Sequence, residues 1–103
     1  MNRKQLAINF ANSLKQKEIE KVILYGSVAR GEDKKDSDID VLILTTNDKD
    51  ELKIKDDVYT KTFDTLLETG EYLSAKIFSI KHYNKYKHFS FFSNVEKDGI
   101  IIK

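Results

Sequence analysis

The sequence has no cysteine and no proline, and arginine occurs only at positions 3 and 30 among its 18 basic residues. Lack of cysteine excludes a disulfide framework and any thiolate metal site, and fits a reducing compartment. Lack of proline fits a chain with short connections. Long hydrophobic runs are missing too: none approaches the roughly 20 residues needed to span a bilayer. Met1-Asn2-Arg3-Lys4-Gln5 leads into an interrupted pattern rather than the continuous apolar stretch of a signal peptide. Nor is there an excess of one charge, because 18 basic residues against 17 acidic ones give +1. No global polycation is therefore available to grip nucleic acid. What is present, 40% hydrophobic and 11% aromatic residues over 103 positions, suffices for one packed interior and not for two. The expectation is a single domain over 1–103, soluble and cytoplasmic.

The even balance conceals an uneven distribution. Residues 1–30 and 72–103 each carry six basic and two acidic side chains, whereas 31–71 carries thirteen acids against six lysines. An acidic centre between basic flanks invites a cation or a cation-bridged anion, although a solvated surface reads the same way.

Leu6, Phe10 and Leu14 recur every four residues and predict a helix from about Arg3 to Lys17. Val22-Ile23-Leu24-Tyr25 reads as a buried strand that stops at Gly26, where a tight turn feeds a short helix ending near Gly31. Glu32 to Asp36 reads as a mobile polar loop. Asp40-Val41-Leu42-Ile43-Leu44 is the strongest strand, beginning near Ser37 or Asp38. A helix is expected from about Asp50 to Thr69, turning Leu52, Val58, Tyr59, Phe63, Leu66 and Leu67 inward and stopping at Gly70. Tyr72 to Ile80 predicts a third strand, His82 to Asp98 is mainly helical by pattern, and Ile100-Ile101-Ile102 closes the chain as a short strand. This alternation predicts an α/β or α+β sheet covered by helices.

The chemistry-bearing segment is Gly26-Ser27-Val28-Ala29-Arg30-Gly31-Glu32, followed by Ser37-Asp38-Ile39-Asp40-Val41. Alternation along a strand puts Asp38 and Asp40 on one face while Ile39 and Val41 enter the core. Two carboxylates held that close repel each other, and a divalent cation relieves them; hard oxygen ligands favour magnesium or manganese. Taken alone, the pair reads equally as two ordinary surface acids. A strand ending at Tyr25, then Gly26-Ser27 at a helix start, leaves backbone N–H groups aimed outward, with glycine allowing a phosphate close approach. The Ser27 hydroxyl adds a donor and Arg30 can fork onto phosphate oxygens. Alone, this half reads as a turn beside a surface arginine. Together the halves form the apparatus for a metal-bound nucleoside triphosphate attacked at its α-phosphorus.

The run GSVARGEDKKDSDIDVLI, with ten residues between Gly26-Ser27 and Asp38-Ile39-Asp40, resembles the signature of the polymerase-β-like nucleotidyltransferase superfamily, and in particular its minimal nucleotidyltransferases. The likeness is specific over Leu24 to Leu44. It implies an α+β (α/β-like) fold with a mixed sheet of about four strands and helices packed on it. It also implies Gly26, Ser27, Arg30 and Ser37 binding the nucleotide, with Asp38 and Asp40 as catalytic ligands of magnesium or manganese. The implied reaction moves a nucleoside monophosphate, AMP from ATP, onto an acceptor hydroxyl. The family further suggests a helical toxin partner of the HEPN class, for which this chain is the antitoxin, or a second copy of the chain. The alternative in another class is a nucleotide- or partner-binding module that has lost turnover and neutralises its partner by contact.

One departure bears on that choice. The superfamily usually adds a third carboxylate on a strand beside the Asp-x-Asp strand, and Tyr72 to Ile80 contains none. Lys76 stands where the acid belongs, Glu71 is a possible substitute, and Glu68 or Asp64 are weaker ones. The basic and aromatic residues of Lys81 to Phe89 admit a nucleic-acid strip, but core or partner contacts with solvated lysines account for them better. His82 and His88, six apart, suit no common zinc spacing.

Overall fold

In the computed structural model, which describes residues 2–46 and 51–103, helix α1 spans Arg3–Ser13. The Asn2 side chain caps it by accepting from the Gln5 N–H at 2.7 Å. It ends four residues before Lys17 because the Ser13 hydroxyl donates to the Phe10 carbonyl and Leu14 turns extended into the core. Strand β1 (Ile19–Tyr25) runs directly into helix α2 (Gly26–Arg30), and β2 (Ile39–Thr45) follows the polar loop. Helix α3 (Glu51–Thr69), strand β3 (Leu73–Ser79), helices α4 (Ile80–Tyr86) and α5 (Ser90–Asp98), and strand β4 (Ile100–Ile101) complete the order. Asp50, the expected start of α3, lies outside the described residues.

The sheet order is β3-β2-β1-β4, with β1 antiparallel to β2 and β4, and β2 parallel to β3. β2 is therefore central, and six of its seven residues are buried, which is why its sequence reads as an unbroken apolar run. The exception is Asp40. Ile39, Val41 and Ile43 face a core shared with Leu6, Phe10 and Leu14 from α1 and its end and Ile54 and Val58 from α3. Leu42 and Leu44 face the other way, toward Tyr83 of α4 and Phe92 and Val95 of α5. The helical segment after β3 splits in two at residues 87–89, which lets the Tyr83 and Phe92 rings meet edge to face at 5.3 Å.

The expected inward face of α3 is corrected. Ile54, Val58 and Thr62 are buried, whereas Leu52, Tyr59, Phe63 and Leu67 are 79%, 49%, 58% and 69% exposed. The helix carries two apolar stripes, and the narrower, β-branched one seats it against the sheet. The bulkier stripe is left in solvent. No helix among the described residues is long and apolar enough to cross a membrane.

Candidate active site

Register brings the two halves of the motif to one spot. Tyr25, the last residue of β1, pairs with Asp40 on β2, so the chain turns at Gly26 directly over the Asp40 side chain. Gly26 has φ +77°, and a Cβ placed on it would lie 2.4 Å from the Asp40 carboxylate oxygen Oδ2. Only a glycine lets the turn close onto that carboxylate. Ser27 opens α2, and among the described residues nothing engages its hydroxyl. Asp38 precedes β2 and is exposed; Asp40 is half-buried.

The Asp40 carboxyl titrates above the usual carboxylate range. Burial is the main cause and the Asp38 charge adds to it, while Lys76 and Arg30 oppose it. Beneath, the Tyr25 phenol is pushed up to about 12 by burial and then by the Asp40 charge. Tyr25 meets Phe91 edge-on at 5.6 Å, so an aromatic layer floors the site. A cation between Asp38 and Asp40 would relieve both the repulsion and the desolvation, and their oxygen donors fit magnesium or manganese. Among the described residues no group of three acidic or histidine ligands occurs, so this pair makes up the acidic donors of the site.

The suggested substitutes for a third carboxylate lie elsewhere. Glu71 accepts from Arg3 Nε at 2.7 Å, and Asp64 and Glu68 line a groove with Leu6 and Phe10 on the opposite side of the sheet. On the site face of β3, Ser74 pairs with Asp40 and Lys76 with Leu42. The Lys76 ammonium rests 5.9 Å from the centre of the Phe91 ring.

Arg30 points from the end of α2 to Glu32 at 2.9 Å and to Asp98, at the end of α5, at 3.3 Å. To reach a phosphate it must exchange these carboxylates for it. The Ser37 hydroxyl accepts the Lys34 N–H at 2.8 Å and closes the loop turn. That loop is exposed, as its composition predicts, and it is also tied to the rest of the fold. Arg3 holds it through Asp33 at 2.9 Å and the carbonyls of Lys34 and Lys35, while its Nε anchors to Glu71. Asp98 carried no signal in the sequence, whereas the scarcity of arginine marked Arg3. Arg3→Met is expected to lower Tm and speed amide exchange at residues 33–35, with α1 itself unchanged; hydrogen-exchange mass spectrometry reads both.

A profile of the nucleotidyltransferase domain matches residues 7–102. The chain belongs to the nucleotidyltransferase domain family. A protein of Methanocaldococcus jannaschii named "putative protein adenylyltransferase" is 37% identical over 105 residues, covering 99% of each chain. Two solved structures share the fold. A toxin-antitoxin crystallised with AMP-PNP gives a TM-score of 0.61 at 14% identity over 99% of this chain and 73% of that one. A structure described as a putative nucleotidyltransferase from Sulfolobus solfataricus gives 0.54 at 18% identity over 94% and 76%. The resemblance read from Gly26 to Asp40 and the α+β fold it implied are borne out. As a nucleotidyltransferase the chain is a transferase.

Proposed function

We propose that this nucleotidyltransferase moves AMP from ATP onto a hydroxyl of a protein partner, with Asp38 and Asp40 holding magnesium or manganese. The observation that carries the reading is the 2.4 Å approach of a Gly26 Cβ position to Asp40, which joins a phosphate-binding turn to a carboxylate pair. The name of the M. jannaschii relative and the AMP-PNP held by the toxin-antitoxin neighbour support adenylate as the moving group. Gly26 and Ser27 take the triphosphate, and Arg30 leaves Glu32 and Asp98 to meet it. Ser37 keeps the loop closed beside the nucleotide. The acceptor oxygen bonds to the α-phosphorus, the bond from that phosphorus to the bridging oxygen breaks, and pyrophosphate departs with the electron pair. The acceptor proton passes to water. The bound ion supplies charge neutralisation at the phosphates, and the chain contributes position and fixed charge. Residues 1–103 act as one catalytic domain in the cytoplasm.

The partner we propose is a helical HEPN-type toxin, with this chain as antitoxin; a second copy of the chain is the other occupant considered. The exposed stripe of Leu52, Tyr59, Phe63 and Leu67 along α3 supports a helical occupant, since it presents one apolar face at helical spacing. Phe63→Glu with Leu67→Glu is expected to weaken partner binding at least about tenfold. Binding of Mg·ATP stays unchanged, and calorimetry on both ligands separates the two effects. Loss of a self-associated species in sedimentation would assign the stripe to a dimer instead.

The missing third carboxylate favours a second reading, in which the chain binds nucleotide and masks its partner without turnover. Incubation with α-labelled ATP, magnesium and the partner decides between them. Label on the partner that disappears in Asp38→Asn and Asp40→Asn establishes transfer. Neutralisation that survives both substitutions, with no label moved, establishes masking.

A further inference from the structure

The carboxylate pair can hold one ion, yet the place beside it is not vacant of charge. Lys76 lies on β3, two residues beyond Ser74, the residue paired with Asp40, and on the same face of the sheet. A long side chain at that diagonal position reaches the Asp40 neighbourhood. Phe91 supports the ammonium from one side, and Phe91 is itself fixed against Tyr25, the strand partner of Asp40. Among the described residues no carboxylate lies within ion-pair distance of Lys76. A lysine without an ion pair among the described residues, on an aromatic support and diagonal to Asp40, is poised for an anion delivered with the cation of that carboxylate.

We propose that Lys76 is a catalytic residue of a one-ion site, its ammonium contacting the α-phosphate of the bound nucleotide in place of a second divalent cation. The inference rests on the nucleotide-transfer reading. It gives the site two positive centres, one mobile ion on Asp38 and Asp40 and one fixed on β3. As the acceptor oxygen bonds to the α-phosphorus and the bridging bond breaks, negative charge gathers on the non-bridging oxygens. The ammonium answers that charge without itself losing a proton.

Counting bound Mn²⁺ by paramagnetic resonance in the presence of a non-hydrolysable ATP analogue tests this directly. One Mn²⁺ per bound analogue is expected in the unmodified protein. Lys76→Met is expected to weaken analogue binding about tenfold, the scale of a lost charged hydrogen bond, and Lys76→Arg to restore most of it. Two Mn²⁺ per analogue overturn the proposal, as do unchanged affinity in Lys76→Met or an equal loss in Lys76→Met and Lys76→Arg. If the unmodified protein takes up neither ion nor analogue, nucleotide transfer itself falls. That outcome is distinct from finding a second ion.

Discussion

Replacing Asp40 by Asn is expected to slow AMP transfer about a thousandfold or more while making the free protein more stable. The loss follows from the ion, whose charge neutralisation supplies several kcal/mol at about 1.4 kcal/mol per tenfold in rate. The gain follows from the half-buried carboxyl beside Asp38. Because burial and that neighbouring charge raise its folded-state pKa above the unfolded value, folding favours the protonated form. Its stabilising contribution is present below the ordinary carboxylate range and is lost as pH rises through the raised folded value. At neutral pH the ionised group therefore costs stability, and Asn removes that cost. Asp40 is partly open to solvent, so screening limits the gain to about 1 kcal/mol at most. Thermal melts at pH 7 and pH 4 are the measurement: the substituted protein melts higher at pH 7, and the difference shrinks at pH 4. Saturating Mg·ATP should reverse the order, since a ligand at 100 times its Kd adds about 2.7 kcal/mol to the protein that binds it. Unaltered Mg·ATP stabilisation in Asp40→Asn would remove the carboxylate from the ion site.

The motif was legible because its logic is local. Alternation on one strand places Asp38 and Asp40 together, and the stop at Gly26 places the turn; only the register of Tyr25 with Asp40 was needed to join them. Lys76 was legible for the same reason, since a parallel neighbour of β2 must put alternate residues of β3 on the site face. What was not legible depends on contacts distant in sequence. Loop 32–36 looks solvated by composition, and what holds it is Arg3, about thirty residues away. Glu71 looks available as a ligand until the same arginine claims it. On α3 the periodicity is real but double. Choosing between Ile54–Val58–Thr62 and Leu52–Tyr59–Phe63–Leu67 requires the shape of the surface beneath, which one helix does not encode. The stripe that sequence reasoning assigned to the core is the one available to a partner.

Gly26→Ala is expected to lose both stability and nucleotide binding, for two separable reasons. At φ +77° an L side chain is strained, by about 1–2 kcal/mol. The added methyl would also lie 2.4 Å from Asp40 Oδ2, and 3.3 and 3.4 Å from Asp40 Cγ and Cβ. The nearest obstacle is the end of a side chain, so the clash resolves by swinging the Asp40 carboxylate away rather than by unfolding β2. Strain then appears in the melting temperature, and the displaced carboxylate appears in ion and nucleotide affinity. Gly70→Ala separates the two, because Gly70 has the same φ of +77° with nothing within 4 Å of its Cβ position. It should lose comparable stability and keep full affinity for Mg·ATP. A double substitution sharpens the distinction further. With Asp40→Ala already present, the methyl at position 26 meets no carboxylate, so its added destabilisation should stay at the level of Gly70→Ala. Should Gly26→Ala instead bind Mg·ATP as tightly as the unmodified protein, the turn and the carboxylate do not share one binding spot.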